Sequence, residues 1–296
     1  MNKRRTLPVI EATLAVLVWG GSFVATKVAL REVSPITVVW LRFGMGVVIL
    51  GAVMLARRQF ALPQGKDTAY FALLGFLGIT FHQWLQSTGL VTSQASTTAW
   101  IVATTPVFMA VLGWLVLKER LTWLQGFGIL LAAIGVMVIV TQGNWGFLLG
   151  GSFGAPGDLL VMLSAPNWAI FSILSRRGLQ RTPATRMMFY VMGFGWLFSS
   201  LLFILGRGYQ ELSLLSLDGW SGIIFLGVFC SGLAYFFWYD ALQALPASQA
   251  GAFVYLEPFV TVLVAAGMLG EAIRADALMG GGAILLGVWM VNRFRS

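Results

Sequence analysis

Along this chain, long runs of apolar residues alternate with short polar connections. A helix needs about 20 mostly apolar residues to cross a bilayer. Ten runs meet that length: Val9–Leu30, Pro35–Ala56, Thr68–Leu90, Gln94–Leu117, Leu121–Val140, Gly157–Ser175, Thr185–Leu205, Trp220–Ala241, Pro246–Leu269 and Asp276–Asn292. Hydrocarbon satisfies no backbone hydrogen bonds, so each run is expected as a helix. The connections are too short for a soluble domain. The longest, Thr141 to Pro156, is uncharged and rich in glycine. The expected fold is an all-α integral membrane protein with ten transmembrane helices.

The cationic positions orient it, because Lys and Arg gather on cytoplasmic loops. Lys3, Arg4, Arg5, Arg57, Arg58, Lys66, Lys118, Arg120, Arg176, Arg177, Arg181, Arg186, Arg293 and Arg295 fall on one side; only Arg31, Arg207 and Arg274 fall on the other. Both termini are therefore expected in the cytoplasm of a cell (inner) membrane. The basic N-terminus begins like a signal peptide, but Glu11 interrupts it and no small-residue cleavage site follows. A retained first helix is expected.

The apolar pattern repeats. At a constant offset of 152, Ala95-Ser96 falls on Ala247-Ser248, Val102 on Val254 and Pro106 on Pro258. Glu119 then falls on Glu271, Gly128 on Gly280, and Gly135-Val136 on Gly287-Val288. These matches sit on prolines, glycines and a loop carboxylate, where backbone geometry is decided, and they indicate an internal duplication. Ten spans in two halves give five each (1–145 and 146–296), and an odd number forces the second copy in from the opposite face. Inverted repeats place a solute site near the midplane between the halves and expose it by rocking.

Composition sharpens this reading. The chain of 296 residues is 58% hydrophobic and 10% charged, with mean hydropathy +0.84. A soluble domain carries about 25% charged residues, so the bilayer is the expected solvent and partner. A net charge of +8 follows the loops and calls for no nucleic acid. One cysteine and one histidine leave no disulfide and no Cys/His zinc site. No cofactor is expected. The chain has no Gly-x4-Gly-Lys-Ser/Thr loop, no HExxH helix and no Ser–His–Asp set, so neither ATP-driven transport nor catalysis is expected.

Polar residues at mid-membrane are costly and should face a cavity or each other. Glu257 stands directly before Pro258, which leaves the Val254 carbonyl without its usual partner. It reads either as a cation contact or as a protonated hinge residue. Lys27 and Arg42 fall at similar depth in the outer parts of spans one and two, as an anion contact at the outer mouth or as side chains snorkelling to headgroups. His82, Gln83 and Gln86 form a polar turn, with His82 and Gln86 on one face. Trp123, Trp145, Trp220 and Trp289 sit near span ends as an interfacial belt. Trp19 and Trp168 sit mid-span instead, and Trp168 follows a Pro166-Asn167 kink. Trp100 shares a face with Thr97 and Thr104. Tyr235, Trp238 and Tyr239 share another, and Tyr255 stands two before Glu257. Such rings suit apolar, aromatic or cationic solutes, and equally serve ordinary packing. The expected solute-binding set is Trp19, His82, Gln86, Trp100, Asn167, Trp168, Tyr235, Tyr239, Tyr255 and Glu257. The glycines of spans five and ten, Gly128 with Gly135 and Gly280 with Gly287, mark a close-packing seam, with room for a homodimer contact.

Trp19-Gly20, Arg42, Glu257-Pro258, Gly270-Glu271 and the series Pro106, Glu119-Arg120, Gly128, Gly135 together resemble the EamA-type family of the drug/metabolite transporter superfamily. The resemblance covers nearly the whole chain, except that Glu271-Ala272 stands where a second Glu-Arg is usual. It implies a secondary transporter of small organic metabolites, often amino acids moved outward, with sugars, nucleotide conjugates or toxic cations in other branches. With the aromatic spans, the expectation is export of amino acids, aromatic or hydrophobic ones first.

Overall fold

A computed structural model describes residues 3–117, 122–144, 154–245 and 253–293. Glu119, Trp145 and Ala247-Ser248 lie outside the described residues, so the loop equivalence of Glu119 and Glu271 is not seen directly. All regular elements among the described residues are helical. They are α1 (Lys3–Ala29), α2 (Pro35–Ala56), α3 (Gly65–Gly75), α4 (His82–Leu90), α5 (Ala95–Val102), α6 (Thr105–Leu117), α7 (Trp123–Val140), α8 (Pro156–Leu179), α9 (Ala184–Leu205), α10 (Leu217–Ile224), α11 (Tyr235–Ala244), α12 (Glu257–Leu269) and α13 (Ala275–Arg293). Seven described stretches are long and apolar enough to cross a membrane, and Glu257–Leu269 and Ala275–Val291 are shorter apolar helices. The stretch 65–90 is also continuously helical, but Lys66, Asp67 and the polar turn at His82, Gln83 and Gln86 make it less apolar.

The irregularities fall in pairs. Between α3 and α4 the chain runs as π-helix over Phe76–Phe81, and between α10 and α11 over Phe225–Ala234. The fourth span of the first half is broken at Ala103-Thr104 and the corresponding span of the second at Tyr255-Leu256. In both, proline follows at the second position of the restarting helix, Pro106 in α6 and Pro258 in α12. Proline lacks only a donor that is unpaired there anyway, and its fixed φ favours a helix start. The expected kink at Pro166 is not a break, since α8 runs through it.

Helices of one half pack mainly on helices of the other: α1 on α11 and α12, α2 and α3 on α9, α4 on α8, α5 on α12, α7 on α13. The most extensive contact is that of α7 with α13. A β-carbon at Gly128 would lie 2.6 Å from the Gly287 carbonyl oxygen, and one at Gly135 2.5 Å from that of Gly280. Residue 128 thus faces 287 and 135 faces 280, so the helices are antiparallel. The glycine stripes expected as a seam are used on each other inside the chain. Phe43, Phe71, Phe171, Met187, Met188 and Met192 belong to one buried cluster, between α2, α3, α8 and α9.

Candidate functional site

The two π segments leave carbonyls out of register with the α-helical ladder, and a side chain from the opposite half meets each. The Trp19 indole N–H in α1 donates to the Cys230 carbonyl at 3.1 Å, and the Asn167 amide in α8 donates to the Leu77 carbonyl at 2.8 Å. The first helix of each half is thereby pinned to the π segment of the other, and a cavity of about 230 Å³ opens between them.

Trp19, Ser22 and Phe23 of α1 line this cavity with His82, Gln83 and Gln86 of α4. The restarted spans contribute Thr105, Pro106, Met109, Val254 and Glu257. Tyr235, Trp238 and Tyr239 of α11 and Trp168, Ser172, Ser175 and Arg176 of α8 also line it, with Arg42 from α2. The walls are aromatic and mutually braced. Trp19 lies 5.5 Å from Tyr235 edge to face and 5.4 Å from Trp238, and the His82 ring lies 4.7 Å from that of Trp168. His82 Nδ1 is 3.2 Å from the Ser164 carbonyl, which can only accept. Nδ1 therefore carries the proton, and neutral His82 keeps Nε2 as an acceptor.

Arg42 is 5% exposed. Its Nε donates to Ser231 Oγ at 3.1 Å and its Nη1 to Gln83 Oε1 at 3.2 Å, both neutral partners. Of the ion pairs among the described residues, Arg57–Asp240 and Arg274–Asp276, neither includes Arg42 or Glu257.

Of the residues expected at the site, Trp19, His82, Gln86, Trp168, Tyr235, Tyr239, Glu257 and Arg42 come together at this wall. Four do not. Trp100 lies under Gly281 and edge-on to Phe259, 5.4 Å away, in the α5–α12–α13 packing. Asn167 faces the Leu77 carbonyl. Tyr255 packs beside the Trp100 cluster. Lys27 does not line the cavity; its Nζ donates to the Ser93 carbonyl in the connection between α4 and α5. Ser172, Ser175 and Arg176 were missed, although they continue the helical face of Trp168 by steps of three and four. Met109 continues the face of Pro106 in the same way.

The cavity is one-sided. Its lining reaches Arg176 and Leu242, near the ends of α8 and α11 on the arginine-rich face, where Arg57 binds Asp240 through two hydrogen bonds of 3.0 and 2.7 Å. Among the described residues it includes none from the opposite loops, which are latched. Glu32 accepts from Ser216 N–H and Oγ–H at 2.7 and 2.6 Å, and Glu211 accepts from Ser34 N–H and Oγ–H at 2.8 Å each. Glu271 accepts from the Ala95 and Ser96 N–H groups at 2.8 and 3.1 Å and from Ser96 Oγ at 2.6 Å. Each carboxylate satisfies the unpaired N–H groups at the start of a helix from the other half, where the helix dipole favours an anion.

Membrane-crossing helices packed around a solute-sized, one-sided cavity define a membrane transport protein. The EamA-like transporter family matches the chain twice, over residues 6–141 and 155–293, so the chain belongs to that family. An uncharacterized transporter of Archaeoglobus fulgidus is 26% identical over 279 residues, 94% of this chain and 95% of that one. The probable terminal-alkyne amino-acid exporter of Streptantibioticus cattleyicolor is 27% identical over 282 residues, 95% of this chain and 91% of its own length. A solved crystal structure superposes with a TM-score of 0.68 at 22% identity, covering 99% of this chain and all of that one, a likeness of fold.

Proposed function

We infer that this transporter exports small organic metabolites, amino acids foremost and aromatic or hydrophobic ones among them, across the cytoplasmic membrane. Two inverted five-helix units, 1–145 and 146–296, rock about the cavity between them. The observation that carries this reading is the aromatic-walled cavity built by both halves, open toward one face and latched at the other. Its volume admits one small metabolite, below the roughly 300–1,000 Å³ of drug-sized sites. The antiparallel α7–α13 seam and the paired irregularities support an inverted duplication. The amino-acid exporter among the relatives supports the substrate class. With the arginine-rich face in the cytoplasm, the cavity faces inward and both termini are cytoplasmic. Glu257 beside aromatic rings also favours organic cations, but Arg42 in the same wall repels them.

Counterflow in proteoliposomes against a solute panel tests the reading. Exchange of labelled amino acids is expected. Exchange of a nucleotide sugar with none of any amino acid overturns it.

A further inference from the structure

Arg42 and Glu257, a guanidinium and a carboxyl group, stand in the same cavity wall and are not paired with each other. Two hydrogen bonds to neutral oxygens hold the Arg42 guanidinium, and its Nη2 makes none among the described residues. The carboxylate of Glu257 makes no hydrogen bond or ion pair among the described residues, and it stands at the restart of the broken ninth span. A charge held away from water is stable only with a partner. Here both groups line one solute-sized cavity, and neither serves as the other's partner.

We propose that Arg42 holds the carboxylate and Glu257 the ammonium group of a zwitterionic amino compound. The inference rests on the amino-acid reading above and deepens it. A guanidinium presents parallel donors that match a carboxylate. Trp19 and Tyr235 line the same cavity, and aromatic faces attract cations. His82, neutral with Nε2 as acceptor, adds a polar contact without adding charge to either pole. The site discriminates by charge at both ends of the solute, and the aromatic walls take its apolar remainder.

The test keeps one side chain and changes the ends. Counterflow of labelled L-phenylalanine by the reconstituted full chain is competed with unlabelled L-phenylalanine, its N-acetyl derivative (no ammonium) and its amide (no carboxylate). In the unmodified protein each derivative is expected to compete at least about ten-fold less well than the zwitterion. Glu257→Gln removes the penalty for N-acetylation and keeps that for the amide. Arg42→Gln does the reverse, and Arg42→Lys keeps most of the carboxylate preference. Ligand-induced shifts of Tm in detergent give the same ratios for a variant that no longer turns over, and gel filtration checks that it is folded. Exchange with unchanged ratios in both glutamine variants, or with a uniform loss in both, overturns this proposal alone. An unmodified protein that exchanges no amino acid overturns it together with the amino-acid reading.

Discussion

Trp168 and Trp123 carry the same side chain into opposite surroundings. Trp168 lies 4.7 Å from His82 and 4.8 Å from Phe171 in the cavity wall, whereas Trp123 is 98% exposed on the outside of the bundle. An aromatic contact is worth about 0.5–1.5 kcal/mol beyond its buried area. Trp168→Ala is therefore expected to lower amino-acid transport roughly two- to ten-fold at equal expression, and Trp123→Ala to leave it near the unmodified rate. Equal losses in a proteoliposome assay would contradict the assignment. Trp100→Ala belongs to a different class. Its ring fills the space under Gly281, so the variant is expected to lose about 3–5 kcal/mol of stability, read as a lowered Tm and yield. An unchanged Tm with lost transport would instead put Trp100 in contact with solute.

At the scale of elements, the π segments and the latches use the same device: a side chain from one half satisfies backbone groups that the other half leaves open. Asn167→Ala leaves the Leu77 carbonyl without its amide donor, at a cost of about 1–3 kcal/mol, and is expected to lower Tm while Asn167→Asp restores little, since a carboxylate cannot donate. On the latched face, the bonds from Ser216 Oγ–H and N–H hold the Glu32 carboxyl below its ordinary value of 4.5. A depressed value means the latch contributes fully above that ordinary value. Its contribution is lost as pH falls from there through the folded value. The Tm gap between the unmodified protein and Glu32→Gln is thus expected at neutral pH and should close in acid; a gap that stays constant would show the latch is not ionic. Removing latches by Glu211→Gln with Glu271→Gln is expected to expose the first turns of α2 and α5 to a water-soluble thiol reagent. The cysteines for it are placed at Thr37 and Thr98, in a Cys230→Ser background.

For the whole molecule, the halves are not two bodies side by side; nearly every helix rests on one from the other half. The α7–α13 seam is one place where they approach closely, because glycine on both helices brings backbone to backbone. Gly135→Leu drives a side chain into the Gly280 carbonyl and Ile284, and overpacking there is expected to cost at least about 1–3 kcal/mol. The measurement is the fraction of monodisperse protein after gel filtration. On the inverted arrangement proposed above, cysteines in the Glu119 and Glu271 turns are expected to label from opposite sides of the membrane, and labelling from one side would overturn it.

The spans were legible because a run of apolar residues is favourable in hydrocarbon whatever its neighbours do, so Pro35–Ala56 is the same in sequence and structure. Arg42, Glu257 and the polar turn at His82 and Gln86 stood out for the same reason, as groups that lipid penalises. Composition and repeat spacing even marked Gly128 and Gly287 as a seam. Partners distant in sequence decided the rest. Asn167 and Trp100 look from the chain like cavity residues, and Lys27 like a mouth or snorkelling residue. Their contacts are with Leu77, Gly281 and Ser93, between 66 and 181 residues away, and no local pattern carries that. Periodicity names the residues that share a face; which face meets the cavity follows from how the halves close on each other.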